Sequence, residues 1–372
     1  MCSTIRQESR WPTIVALVAV AAGSNPAFAQ SEKVETPTKQ ADTTSSPFAE
    51  RSPWLFTPIA SSNPKLGTSF GGLAGYLHFF DAKSRPSIFA VSGQYSDTDS
   101  IVAGAYARTS FDEDQQRALV ALAYGNIKND YDDYLGTGVP LRNEAELRSL
   151  VARYTYRVTG NWFLGGQAIY QNLAIAGQTP FDDEVLDVLG IQPYKSAGLG
   201  VVVQNDSRDN ENMPTRGWLL NLNNVAFRES LGGENDYGLY RAEFKYFIPH
   251  GNRNVFALRQ LNHLTSDAPT AARAPVQLRG YKIGQYTGEY MSSIEAEERF
   301  RLGEKWTATI FAGVACLYGD GVSCTDSDNV FPMGGIGVQY ILKPLQGIVA
   351  NLEYADGEGS SYGIYLKLGY AF

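Results

Sequence analysis

The sequence predicts an all-β protein, a transmembrane antiparallel β-barrel of sixteen strands over residues 53–372. Three observations carry this. Apolar and polar side chains alternate with period two over segments of ten or more residues. That is the length a tilted strand needs to cross a bilayer, whereas strands of soluble sandwiches run nearer five or six. The four long connections all fall on one side, as outer loops opposite short periplasmic turns do, although the connections at 61–66, 97–99 and 356–361 on that side are brief. Tyr and Phe sit at strand ends on the apolar face, and the last residue is Phe372; such rings suit a lipid–water interface. Twelve or fourteen strands, or a soluble exported sandwich, are the alternatives.

Composition bounds the class. The 372 residues are 44% apolar and 19% charged, below the roughly 25% usual for soluble domains, with 37 glycines, 22 tyrosines and a net charge of −8. An acidic chain without Lys/Arg clusters argues against nucleic acid as a partner. The apolar content excludes a disordered or fibrous chain. Beyond the N-terminus no apolar run is long enough for a membrane helix.

In chain order, Arg6 and Arg10 precede the apolar segment 12–23, and Ala27-Phe28-Ala29 forms a cleavage signal. Residues 1–29 therefore read as a secretory signal peptide. Residues 30–52 are polar and read as a disordered leader, without space for a folded periplasmic domain. Strands are expected near 54–60, 67–80, 86–96, 100–110, 116–126, 145–158, 161–172, 194–205, 217–227, 237–248, 253–262, 288–302, 305–315, 334–343, 347–355 and 362–372. In 149–158, Leu150, Ala152, Tyr154, Tyr156 and Val158 oppose Arg153, Thr155 and Arg157. In 237–248, Tyr240, Ala242, Phe244, Tyr246 and Ile248 oppose Arg241, Glu243 and Lys245. The last strand places Tyr362, Ile364, Leu366, Leu368, Tyr370 and Phe372 on one face. Long connections at 127–144, 173–193, 263–287 and 316–333 share one side, and short ones at 81–85, 111–115, 159–160, 249–252, 303–304 and 344–346 share the other. The turn 206–216 is long for the short side. Cys316 and Cys324, with seven residues between them, read as a loop-stapling disulfide in an exported chain; two free thiols are the alternative.

Two segments stand apart. The turn carries Asp206, Arg208, Asp209, Pro214 and Gly217: Asp and Arg can tie it by charge-assisted bonds, and Pro and Gly shape it. The loop 263–287 carries Arg279-Gly280-Tyr281, and the next strand puts Ser293, Glu295, Glu297, Arg299 and Arg301 on its polar face. An arginine folded into the lumen would meet these carboxylates and pin the loop; a solvated Arg279 on an outer loop is the plain alternative.

The order D-x-R-D…P…G, an R-G-[FY] loop, E-x-R on the following strand and a terminal aromatic strand resembles the BamA–TamA superfamily of bacterial surface antigen barrels. The resemblance covers residues 53–372. It implies a sixteen-stranded barrel with the long loop folded into the lumen through Arg279, Gly280 and Tyr281, held by Glu297, Arg299 or Glu295. It implies a C-terminal assembly signal at Tyr362, Leu366, Leu368, Tyr370 and Phe372, read by the barrel-assembly machinery. It also implies the outer membrane of a Gram-negative bacterium, with lipid as partner and a role in the insertion or passage of proteins or lipids. There are two departures. Where the family has F-x-D-x-G, Phe311-Ala312-Gly313 puts glycine in the aspartate's place. No POTRA domains precede the barrel, which weakens a role in protein insertion.

No enzyme is expected. His78, His250 and His263 lie in no nucleophile motif, and Gly71-Gly72 and Gly334-Gly335 lack the strand-to-helix setting of a phosphate cradle. No cofactor or metal is predicted. A passive pore or structural barrel is the second functional reading, and the client and a homodimer stay open.

Overall fold

A computed structural model describes residues 52–63, 67–131, 141–188, 192–211, 213–281, 286–343, 348–358 and 361–368. The signal peptide and leader expected at 1–52 lie outside these but for Ser52, as do Tyr370 and Phe372 of the C-terminal signal.

Sixteen strands form one closed antiparallel barrel: β1 (Trp54–Asn63), β2 (Gly67–His78), β3 (Ser87–Ser96), β4 (Ile101–Phe111), β5 (Gln116–Tyr131), β6 (Leu141–Thr159), β7 (Trp162–Gly177), β8 (Tyr194–Asp206), β9 (Gly217–Phe227), β10 (Tyr237–His250), β11 (Asn254–Ser266), β12 (Tyr290–Arg301), β13 (Trp306–Tyr318), β14 (Val330–Lys343), β15 (Ile348–Gly357) and β16 (Tyr362–Leu368). Each pairs with its sequence neighbours, and β16 returns to β1. Closure satisfies backbone N–H and C=O groups between strands, which hydrocarbon would otherwise leave unpaired.

The faces are inverted relative to a soluble protein. On β10, Tyr240, Tyr246 and Ile248 are exposed on the outside, while Arg241, Glu243 and Lys245 are buried in the lumen. On β6, Leu150, Tyr154, Tyr156 and Val158 point outward and Val151 and Thr155 inward. Among the described residues four apolar clusters are buried, two of them large. One packs Leu141, Leu147, Leu173, Tyr194, Phe227 and Tyr237 around Leu186. The other packs Val276, Leu278 and Tyr281 of the long loop against Leu261, Met291, Phe311, Leu317 and Phe331. Full burial of each such side chain stabilises by about 1.5–3 kcal/mol, so the loop is held by apolar packing as well as by charge.

Three sequence expectations need correction. The β5–β6 hairpin runs on past residue 126 and begins again at 141. Leu141, Asn143 and Ala145 keep the inward alternation, while Glu144, Glu146 and Arg148 made the segment look like loop. The connection after β7 contains a helix, α1 (Pro180–Val188). Its signal is a capping box: Asp182 N–H donates to Thr179 Oγ1 (3.3 Å) and Thr179 N–H to Asp182 Oδ2 (3.0 Å), with Pro180 opening the helix. His263, expected to open the long loop, lies within β11 and is buried; His250 ends β10 rather than sitting in a turn.

Candidate functional site: a loop held inside the barrel

Alternation on β12 turns Ser293, Glu295, Glu297 and Arg299 into the lumen and Ile294 outward. The connection from β11 to β12 folds back into the same space. Arg279 at its tip is 8% exposed and Glu297 1%. Arg279 Nη1 donates to Glu297 Oε2 at 2.7 Å and to Glu353 Oε1 at 3.2 Å, and its Nε lies 3.4 Å from Glu295 Oε2. The guanidinium sits 3.4 Å above the centre of the Phe311 ring, a cation–π contact in a place poor in water. Three carboxylates and an aromatic face thus enclose one cation.

The third carboxylate, Glu353, comes from β15. It supplies a carboxylate where the family's strand-thirteen aspartate is missing. A Cβ at Gly313 would meet Ile294 O at 2.8 Å and Glu295 Cγ at 2.9 Å, so a side chain there would have to push its neighbours aside. The compensation is invisible in sequence because Glu353 lies 74 residues from Arg279.

The two residues after Arg279 bind the last strands. Gly280 has φ +90°, and a Cβ there would stand 3.2 Å from the backbone of Asp356 and Gly357. Its N–H donates to the Tyr365 hydroxyl at 3.1 Å. Tyr281 donates its hydroxyl to Pro332 O at 2.6 Å and accepts from Glu358 N–H at 2.9 Å. The loop has a second attachment that sequence reading missed: Arg241 donates to Gln277 Oε1 at 3.1 Å, and Gln277 Nε2 lies 3.4 Å from His263 Nδ1.

At the opposite end, Arg208 donates twice to Asp206, at 2.8 and 3.1 Å, and Arg85 once at 3.0 Å. Asp209 accepts from the N–H groups of Thr215 (2.9 Å) and Arg216 (3.2 Å), and Gly217 starts β9 at φ +93°. Pro214 O accepts from Arg299 Nη1 at 3.1 Å, while Arg299 Nε donates to Glu297 at 2.7 Å. A continuous run, Arg279–Glu297–Arg299–Pro214, therefore joins the outer loop to the long turn. The sequence singled out both segments but not their connection, since Arg299 and Pro214 are 85 residues apart.

On β16, Tyr362 and Ile364 face outward and Leu366 is half-buried; Leu368 is its last residue. Its described register with β1 pairs Ala60 with Leu366, Ser61 with Tyr365 and Ser62 with Ile364. Cys316 and Cys324 are disulfide-bonded, with Cα atoms 5.6 Å apart. Among the described residues no group of three or more His, Cys, Asp or Glu is placed to hold a metal ion.

Solved structures of similar architecture include BamA from Haemophilus ducreyi lacking POTRA domains 1–3 (TM-score 0.54, 14% identity, 86% of this chain and 70% of that one). CdiB from Acinetobacter baumannii gives a TM-score of 0.59 at 10% identity, over 85% of this chain and 59% of that one. CdiB from Escherichia coli gives 0.62 at 12%, over 85% and 62%. This chain thus spans less than two thirds of either CdiB. No curated protein matches its sequence. Residues 85–372 match the Omp85 superfamily domain. That match takes in the long turn, the loop arginine and its carboxylates together, and the chain belongs to the Omp85 superfamily.

Proposed function

We propose that this chain is an integral outer-membrane barrel of a Gram-negative bacterium that assists the insertion or passage of proteins or lipids and performs no covalent chemistry. Residues 1–29 direct its export, 30–52 form a leader, and the barrel-assembly machinery inserts it by reading Tyr362, Leu366, Leu368, Tyr370 and Phe372. Its partners are membrane lipid and a client. The observation that carries this reading is a loop tip bonded to β14, β15 and β16, the last of which closes the barrel on β1 at the seam. The Arg279 contacts hold the loop against the strands that border it, so loop position and seam opening are coupled. The superfamily membership and the BamA and CdiB likeness support the same reading.

The test locks the seam. Cysteines at the facing pair Ser62 and Ile364 are introduced in cells carrying the full chain, and crosslinked neighbours are recovered from intact outer membranes. Client capture by the wild type, lost in the locked variant and restored by reductant, is the expected result. Equal capture with the seam locked, or a steady open channel in planar bilayers with lipid as sole neighbour, refutes it and favours a passive pore.

A further inference from the structure

A second cluster, remote from the Arg279 clamp, lies in the lumen near the long turn. A cavity of about 80 Å³ is lined by Arg85, Arg108, Arg117, Arg153 and Arg208, with Glu211 the one carboxylate in its wall. These come from five places in the sequence: the β2–β3 turn, β4, β5, β6 and the β8–β9 turn. Asp114 and Asp206 stand behind the wall. Arg117 lies 2.7 Å from Asp114, Arg208 2.8 Å from Asp206, and Arg108 3.1 Å from Glu211. Arg85 reaches Asp206 at 3.0 Å and also contacts Glu211. Arg157 also lies 2.6 Å from Asp114, so six guanidiniums stand against three carboxylates, an excess of three positive charges in a chain whose net charge is −8. The Arg85, Arg108 and Arg117 side chains keep 20%, 17% and 13% of their exposure, so water screens them only in part.

Neutral groups complete the wall. Arg153 is hydrogen-bonded to Gln167 Oε1 at 2.7 Å rather than to a carboxylate. Asn221 also lines the cavity, and its amide oxygen is shut off from solvent without a partner; turned over, the amide presents N–H donors. A water needs roughly 10–15 Å³ of such space, so the cavity takes several waters or one tetrahedral oxyanion. Guanidinium forks match phosphate oxygens two at a time. We propose that this cavity binds a phosphate-class oxyanion, either inorganic phosphate or the phosphate head of an outer-membrane lipid.

The experiment uses the full-length barrel folded in detergent micelles, with folding checked by heat-modifiable migration. Inorganic phosphate is titrated by calorimetry at constant ionic strength, with chloride as the matched salt. Saturable binding of one phosphate per chain is expected, weakened about tenfold or more in Arg153→Gln and in Arg108→Gln, the loss of one charge-assisted contact, and largely retained in Arg108→Lys. Should Arg108→Gln not fold, Arg153→Gln decides. Heat that fails to saturate, that chloride reproduces, or that the folded Gln variants leave unchanged overturns the proposal. Native mass spectrometry of protein drawn from outer membranes separates the sources. A phosphorylated-lipid mass lost in Arg153→Gln assigns the headgroup; phosphate saturation without a lipid mass assigns the free ion.

Discussion

Replacing Arg279 by Ala removes the one cation that Glu297, Glu353 and Glu295 share. Breaking a buried ion pair from one side costs about 3–5 kcal/mol, an upper value here because Glu297 keeps Arg299 and Glu295 keeps Arg259, while Glu353 is left with the Asn351 amide. The contact with Phe311 adds about 2 kcal/mol where the site is dry. The bonds from Gly280 to Tyr365 and from Tyr281 to Pro332 are the same in both chains and cancel in the difference. Taking about 4 kcal/mol as the net loss, the ratio of released to docked loop rises close to a thousandfold. Two assays read this: single-channel conductance in planar bilayers, and protease cleavage at Arg273 and Lys282 in the folded barrel. Conductance and cleavage should both rise in Arg279→Ala. Arg279→Lys should fall between, since it keeps the charge but loses the planar fork. A folded Arg279→Ala barrel with wild-type conductance and wild-type protease resistance refutes the clamp.

Gly313→Asp restores the family's residue but puts a Cβ 2.8 Å from Ile294 O; overpacking of this kind costs about 1–3 kcal/mol, so the urea midpoint of the heat-modifiable transition should drop. Cys324→Ser opens the staple between β13 and β14 and should lower stability by about 2–3 kcal/mol on chain entropy, read as faster cleavage between 319 and 329; unchanged cleavage counts against a structural role. In the β2–β3 turn, the Ser84 hydroxyl beside Asp81, with the N–H groups of Ser84, Lys83 and Glu113, holds that carboxyl down at about 2. A folded value below the unfolded one means the turn's stabilisation is full above about pH 4 and is lost as pH falls through 2. Exchange at the Ser84 amide, corrected for its intrinsic rate, should therefore quicken over that window and be fast at all pH in Asp81→Asn.

The sequence by itself determined the barrel. Period-two alternation is a local property, written in each strand, and it marks both the lipid face and the lumen face without reference to any partner strand. Strand count and the side on which each loop falls follow from the same signal. Hairpin pairing of neighbours was implicit, but the register of β10 with β11 was not: in place of the expected turn at 249–252, His250 pairs with Asn254. The R-G-Y loop and the E-x-R strand were legible as separate motifs, and Arg279 was paired with the carboxylates of β12 because they are close in sequence. Tertiary structure alone decided the rest. Glu353 reaches Arg279 only because closing the barrel brings β15 across the lumen from β12, and the surroundings of Gly313 crowd the position where the family carries an acid. Arg299 meets Pro214 because β12 runs the full depth of the barrel. The five arginines around the second cavity come from five separate segments, none of them a basic run, so composition averaged them into an acidic chain. Where a charge faces inward can be read from alternation; which charges share one enclosed space is set by the closure of the sheet.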